Sequence, residues 1–325
     1  MKKLTIILFC FLYVLASKSE ELKVRTKFIM GTYITIKLQE NKSELFKPSF
    51  QIFKDLDKKL SIYKENSEIS ILNKEKTAIL SPVSIEIIKK SLKISKETDG
   101  YFDITVGKLT KDTYKFETEK ETIPDEKKIK ETLKNISYKN IELKGNKVAL
   151  KNNAKIDLGG IGKGFAVDKV AKFLIEKGVK RGIIAASGDI RCLNLCDIFI
   201  QNPFGEGWII KFKTKKPNTS ISTSGNYERY IKSKKYNHLI NPKTGKSEQT
   251  FASITLVSVA DNTSIDAYST AISVMPLDYA LKFLKSKKVG FILILNSGQI
   301  IFSKNFSDFA VLNAYKKIIQ QEQGI

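Results

Sequence analysis

The sequence predicts one compact α+β domain of mostly antiparallel strands with packed helices. Three observations lead there. Apolar residues recur at helical spacing in some segments and alternate with polar ones in others. Several short strands, separated by Gly, Asn and Pro, crowd the region from 182 to 258. No internal repeat or low-complexity tract divides the chain, and 42% apolar content over 325 residues is ample for a sizeable core.

The elements follow in order. Residues 27–38 alternate apolar and polar and read as a strand. Residues 46–60 and 84–98 carry apolar residues at helical spacing, and Asp99-Gly100 supplies a stop. Residues 114–150 read as a linker, a charged helix and a hairpin turning at Gly145-Asn146. A Gly-rich turn at 159–164 opens a helix to about Lys177, followed by an apolar strand at 182–186. Helices over 264–274 and 277–285, strands over 291–295 and 299–303, and a C-terminal helix complete the chain.

The formal charge of +22 invites a nucleic-acid reading, but only Arg25, Arg181, Arg191 and Arg229 among the 56 basic residues are arginine. Nucleic-acid readers cluster arginine for bidentate contacts; lysine scattered along a chain makes a solvated surface that attracts anions. Lys2 and Lys3 precede a mostly apolar run from Leu4 to Leu15, with Ala16 and Ser17 behind it. This has the parts of a secretory signal, so residues 1–17 are assigned to a signal peptide or N-terminal anchor and 22–325 to the functional domain. Bulky Phe9 before Cys10 argues against lipidation there. Cys192 and Cys196 read as two small buried side chains in neighbouring strands, a disulfide across a tight turn being the second reading. Neither has zinc-like spacing.

Four constellations carry possible chemistry. In Asp157-Leu-Gly-Gly-Ile-Gly-Lys163-Gly, glycines at a strand-to-helix junction let backbone approach a ligand, and a helix N-terminus offers N–H groups to an anion. The motif is neither a Walker loop nor a dinucleotide fingerprint, and alone it reads equally as a packing turn. Asp266 and Thr270 lie four apart, so on a helix their oxygens share one face and suit Mg²⁺ or Ca²⁺; the alternative is a favourable charge near a helix start. His238, the only histidine, precedes Asn-Pro-Lys-Thr-Gly and is a candidate proton donor or acceptor. Finally Met30-Gly-Thr, Ser-Ile-Tyr63 and Gly-Tyr101-Phe102-Asp103-Ile-Thr supply core residues or the wall of a slot for a flat ring.

Taken in order, with Ser187-Gly-Asp, Ser222-Thr-Ser-Gly and His238-Leu-Ile-Asn-Pro-Lys-Thr-Gly between them, these segments resemble the ApbE family of FAD:protein FMN transferases. The resemblance runs from Met30 to about Leu284. It implies a T-fold-related domain that binds FAD as substrate, with Mg²⁺ on the diphosphate. The implied metal ligands are Asp266, Thr270 and the Gly160 carbonyl. Met30, Tyr63, Tyr101, Phe102, Asp103, Asp157, Lys163 and Ile240 are implied to line the FAD site, and His238 matches a family histidine implicated in catalysis. Asp157 is the second candidate for the proton. The implied reaction moves FMN to a Thr or Ser hydroxyl of a target protein and releases AMP. The target is expected to be an exported domain of a membrane electron-transfer complex, and the enzyme periplasmic or on the outer face of the inner membrane. An FAD pyrophosphatase and a non-catalytic FAD-binding protein are the alternatives. Departures from the family pattern are Gly162 in place of Ala, Ser187 in place of Gly, and Lys108 and the 114–116 segment in place of a Pro and a Trp-containing stretch.

Overall fold

The computed structural model describes residues 21–316. The expected signal segment and Cys10 lie outside the described residues.

The first two strands, β1 (Lys23–Ile29) and β2 (Thr32–Leu38), form an antiparallel hairpin. This corrects the single strand expected over 27–38. Met30 and Gly31 have φ of 56° and 70°, the left-handed pair that a two-residue hairpin turn requires. Apolar alternation runs straight through the turn, so the pattern hid it. Helix α1 (Phe46–Leu60) buries Phe46, Phe50, Phe53, Leu56 and Leu60 on one face, at three- and four-residue spacing. Helix α2 (Glu68–Glu75), unforeseen because its apolar face is so short, is capped by the Ser67 side chain. Strand β3 (Thr77–Ile79) follows, then α3 (Pro82–Glu97), with Pro at its start. A π-helical turn at Lys108–Thr113 precedes α4 (Glu126–Leu133) and the hairpin β4 (Ile141–Lys144) and β5 (Lys147–Leu150), which pairs with β3 in a small sheet.

The second half holds α5 (Gly162–Glu176), β6 (Gly182–Ala186), β7 (Asp189–Cys192), β8 (Asp197–Gln201), β9 (Trp208–Thr214) and β10 (Thr219–Gly225). Next come β11 (Phe251–Ser258), α6 (Asn262–Ile272), α7 (Leu277–Lys285), β12 (Gly290–Leu295), β13 (Ile300–Phe302) and β14 (Ala310–Tyr315). The expected C-terminal helix is corrected over the described part: β14 pairs antiparallel with β9. Ladder pairing and the burial of Ala310 on that sheet override local propensity.

Eight antiparallel strands form the main sheet, in the order β1-β2-β6-β7-β10-β11-β12-β13, and β14-β9-β8 form a third sheet. Every residue of β11 and β12 is buried, because both faces are covered. On one face Leu256 and Leu293 join the helical core with Phe53 and Phe165. On the other Val257, Ile292 and Ile294 meet Ile210, Phe212 and Phe309 of the third sheet and its flank. The chain is therefore an α+β domain with helices on one side of an antiparallel sheet. Cys192 and Cys196 are joined by a disulfide, with Cα atoms 6.1 Å apart. This overturns the preferred reading of two unlinked side chains: the short turn from β7 to β8 returns the chain to bridging distance.

Candidate active site

The Gly-rich turn, α6, the β1–β2 turn and the loops around 61–64, 101–117, 187–189 and 223–242 enclose a cavity of about 710 Å³. All the residues expected at the site border it: Met30, Tyr63, Tyr101, Phe102, Asp103, Asp157, Gly160, Lys163, His238, Ile240, Asp266 and Thr270.

One wall is built by two helices. The α6 N-terminus is fixed first: Asp261 accepts from Ser264 N–H at 2.9 Å, and Asp168 of α5 accepts from Asn262 N–H at 2.9 Å and Thr263 N–H at 2.8 Å. One turn on, Asp266 Oδ2 accepts the Gly164 N–H at 2.9 Å. In a regular helix that amide would point to the Gly160 carbonyl. Diverted, it leaves the Gly160 oxygen, among the described residues, with the Thr270 hydroxyl alone, at a long 3.4 Å. Asp266 Oδ1 takes no hydrogen bond among the described residues, although Asp266 is only 3% exposed. The Asp266 carboxylate, the Gly160 carbonyl and the Thr270 hydroxyl thus border the same cavity with accepting capacity to spare, Gly160 and Thr270 being half-buried. No group of three or more His, Cys, Asp or Glu able to hold a metal occurs among the described residues. The donor set fits instead a hard cation that keeps waters and takes further oxygens from a phosphate ligand. Glycine is required at 160, since a Cβ there would lie 2.8 Å from Thr270 Cγ2.

Lys163 Nζ stands 3.7 Å from Asp189 Oδ2 and 3.3 Å from the Gly159 carbonyl. Burial opposes its charge, but Asp266 and Asp189 outweigh that and hold its pKa above the ordinary lysine value. Asp189 also accepts from Ser222 Oγ at 2.7 Å. Burial, then the Asp266 carboxylate, push the Asp189 pKa up to about 8; burial raises that of Asp266 as well. Two buried carboxylates share one lysine, so this end of the cavity favours an added cation.

The Arg229 carbonyl faces both the His238 backbone N–H, at 3.1 Å, and Nδ1, at 3.2 Å. A carbonyl only accepts, so Nδ1 carries the proton and Nε2 keeps its lone pair. Burial, then the Arg229 charge, lower the His238 pKa to about 4, which leaves a neutral imidazole at pH 7. The Tyr63 ring, 58% exposed, stands at the mouth. Tyr101 packs on Tyr279 at 5.1 Å between ring centroids and under Lys243 Nζ at 4.1 Å.

Two expected residues serve the architecture. Asp103 accepts from Thr105 N–H and Oγ1 and from Tyr138 N–H at 2.6–2.8 Å. Asp157 accepts from Gly159 N–H at 2.9 Å and Thr110 Oγ1 at 2.8 Å, bracing the Gly-rich turn. Phe102 and Ile240 are buried wall. Met30 holds its backbone in the left-handed turn that shapes the rim. Sequence reasoning did not assign Asp189, Arg229, Glu117 or Lys111 to the site. Ser-Gly-Asp189 was visible as a motif; for the others no local signal existed, since their roles arise from contacts between distant segments.

An α+β domain whose cleft gathers carboxylates, a lysine and a neutral histidine has the features of an enzyme active site. The ApbE family model matches residues 30–293, and the chain belongs to that family. It is 33% identical over 282 residues to the FAD:protein FMN transferase of Buchnera aphidicola subsp. Schizaphis graminum, covering 80% of this chain and 82% of that protein. It is 27% identical over 296 residues to the Haemophilus influenzae protein of the same description, covering 82% of each. The crystal structure of the ApbE protein of Thermotoga maritima superposes with a TM-score of 0.82 at 27% identity, over 89% of this chain and 99% of that one.

Proposed function

We propose that the chain is an Mg²⁺-dependent FAD:protein FMN transferase that moves FMN from FAD to a Thr or Ser hydroxyl of a target protein and releases AMP. The observation that carries the metal-assisted chemistry is that Asp266, the Gly160 carbonyl and the Thr270 hydroxyl line one cavity with Lys163, the hydroxyl 3.4 Å from the carbonyl and Asp266 tied to the next helix turn at Gly164. These three would hold Mg²⁺. When bound, the ion neutralises diphosphate charge and stabilises the leaving AMP.

The chain's own residues do the rest. Lys163 supplies a second positive charge to the diphosphate, its ammonium aimed by Asp189 and the Gly159 carbonyl. The acceptor oxygen attacks the FMN phosphorus as the bond from that phosphorus to the bridging oxygen breaks, and AMP departs with the electron pair. The hydroxyl proton goes to His238 Nε2. His238 suits this better than Asp157, both of whose oxygens already accept hydrogen bonds. Met30, Tyr63, Tyr101 and Phe102 form walls suited to the flavin and adenine rings.

Export of the chain with residues 1–17 as signal or anchor is part of the same reading, with a periplasmic or outer-face site of action on an exported acceptor domain. The Cys192–Cys196 disulfide supports an oxidising compartment. Among the described residues no helix is long and apolar enough to cross a membrane.

The test is to incubate the purified chain with FAD, Mg²⁺ and an acceptor domain. Covalent flavin fluorescence on the acceptor is the expected result. Free FMN with no labelled acceptor would mean hydrolysis, and unchanged FAD would mean binding alone. His238→Ala should lose transfer at saturating FAD and Mg²⁺; full activity would remove the histidine from the mechanism.

A further inference from the structure

Glu117 has no part in the chemistry above, yet it gathers three groups at the cavity mouth. Its Oε2 accepts from the Tyr63 phenol and pairs with Lys111 Nζ at 3.1 Å, while its Oε1 pairs with Arg229 Nη1 at 2.8 Å. Lys111 also reaches the Tyr63 hydroxyl and lies 4.5 Å from its ring centroid. The backbone is bent to deliver this carboxylate: Lys115 and Glu117 have φ of 58° and 65°, a region that L side chains rarely adopt. The Glu117 N–H is held by Glu121 Oε1 at 2.8 Å.

Arg229 has two jobs at once. Its guanidinium is paired with Glu117, the one carboxylate in an ion pair with it among the described residues. Its carbonyl faces His238 Nδ1 and accepts the His238 backbone N–H. We propose that Glu117 is a positioning residue for His238: it anchors the Arg229 side chain, and the Arg229 carbonyl then holds the imidazole in the Nδ1–H form with Nε2 free to accept a proton. The inference rests on His238 being the proton acceptor of the proposed reaction. The charged groups acting on the ring are Arg229 and Lys163, which disfavour its protonation, and Glu117, which favours it. The alternative is that Glu117 merely braces two loops, as half-exposed ion pairs often do at little energetic consequence.

Because His238 is the only histidine, imidazole ¹⁵N signals of the full chain loaded with Mg²⁺ and FAD belong to it alone. Wild type is expected to show the Nδ1–H tautomer. Glu117→Ala should shift the nitrogens toward a mixture with the Nε2–H form and lower kcat for flavinylation about tenfold. Glu117→Gln, which keeps an acceptor oxygen and the side-chain size, should fall between. Tyr63→Phe removes only the phenol contact and should keep the wild-type tautomer. Wild-type nitrogen shifts together with a wild-type pH profile of kcat in both Glu117 variants would overturn the proposal, whatever their Tm. Undiminished transfer by His238→Ala would overturn the parent reading and the kinetic half of this one, independently of the nitrogen shifts.

Discussion

The Gly164 amide donates to Asp266 Oδ2 at 2.9 Å, tying the first turn of α5 to the middle of α6. The contact needs a residue without a side chain. A Cβ at 164 would lie 2.5 Å from the Asn262 carbonyl oxygen and 2.7 Å from Asp266 Cβ; neither is the tip of a flexible chain. Gly164→Ala is therefore expected to cost about 1–3 kcal/mol by overpacking. It should also weaken Mg²⁺ binding by displacing Asp266. Urea unfolding and an Mg²⁺ titration of Tm check the two effects, and wild-type values in both would show that the helices are not locked here.

The metal reading makes a graded prediction. Asp266→Asn removes the only charge in the donor set and should abolish the rise in Tm on adding Mg²⁺. Thr270→Val preserves shape but not the hydroxyl, and should weaken Mg²⁺ affinity about tenfold, the worth of one ~1.4 kcal/mol contact. At saturating Mg²⁺ its kcat should largely recover. Equal Mg²⁺ affinity across wild type and both variants would remove the ion from this corner.

Stability should depend on pH through the same carboxylates. The Asp189 pKa, pushed up to about 8, and the raised Asp266 pKa both exceed the ordinary value of 3.8. A raised carboxylate pKa means that the folded state keeps protons which the unfolded chain has already released. The unfolded state then binds fewer protons, so stability falls as pH rises through the window from about 4 to 8. His238, whose pKa is lowered to about 4 from 6.5, works the other way below pH 6.5, so for the metal-free protein Tm should drop between pH 6.5 and pH 8. Asp189→Asn should flatten the slope, and Mg²⁺ should raise Tm more at pH 8 than at pH 6. A Tm that rises over this range in EDTA would contradict the burial of these groups as acids.

How much of this was legible beforehand depended on how local the signal is. Helix α1, helix α7 and strand β6 lie at the residues that periodicity indicated, because one buried face repeats within each segment. The turn at 159–164 opening α5 and the placing of Asp266 and Thr270 one turn apart on α6 were legible for the same reason: each lies within one short stretch of chain. What stayed hidden involves partners far apart in the chain. Glu117 meets Arg229, and Lys163 meets Asp189, only after the domain closes. The Met30-Gly31 turn was masked by alternation that continues across it, and β14 became a strand because β9 offered a free edge.

The buried link between Asp168 and Arg191 gives the last prediction. Asp168 accepts from Thr263 N–H at 2.8 Å and Asn262 N–H at 2.9 Å and pairs with the Arg191 guanidinium. Arg191 Nε donates to Asn262 Oδ1 at 3.0 Å, and Asn262 Nδ2 donates to the Ile190 and Ile221 carbonyls, each at 3.0 Å. The network fastens the start of α6 to α5 and to the sheet, and so fixes where Asp266 and Thr270 stand. Asp168→Asn keeps the shape but leaves Arg191, 9% exposed, as an unpaired buried cation. The expected cost is about 3–5 kcal/mol, with Mg²⁺ affinity falling in parallel. Adding Arg191→Met to the Asp168→Asn chain removes the orphaned charge and should recover part of the loss, so the two substitutions should be non-additive in urea unfolding. A single-variant cost below ~1 kcal/mol, or strict additivity, would mean that α6 is held by packing alone.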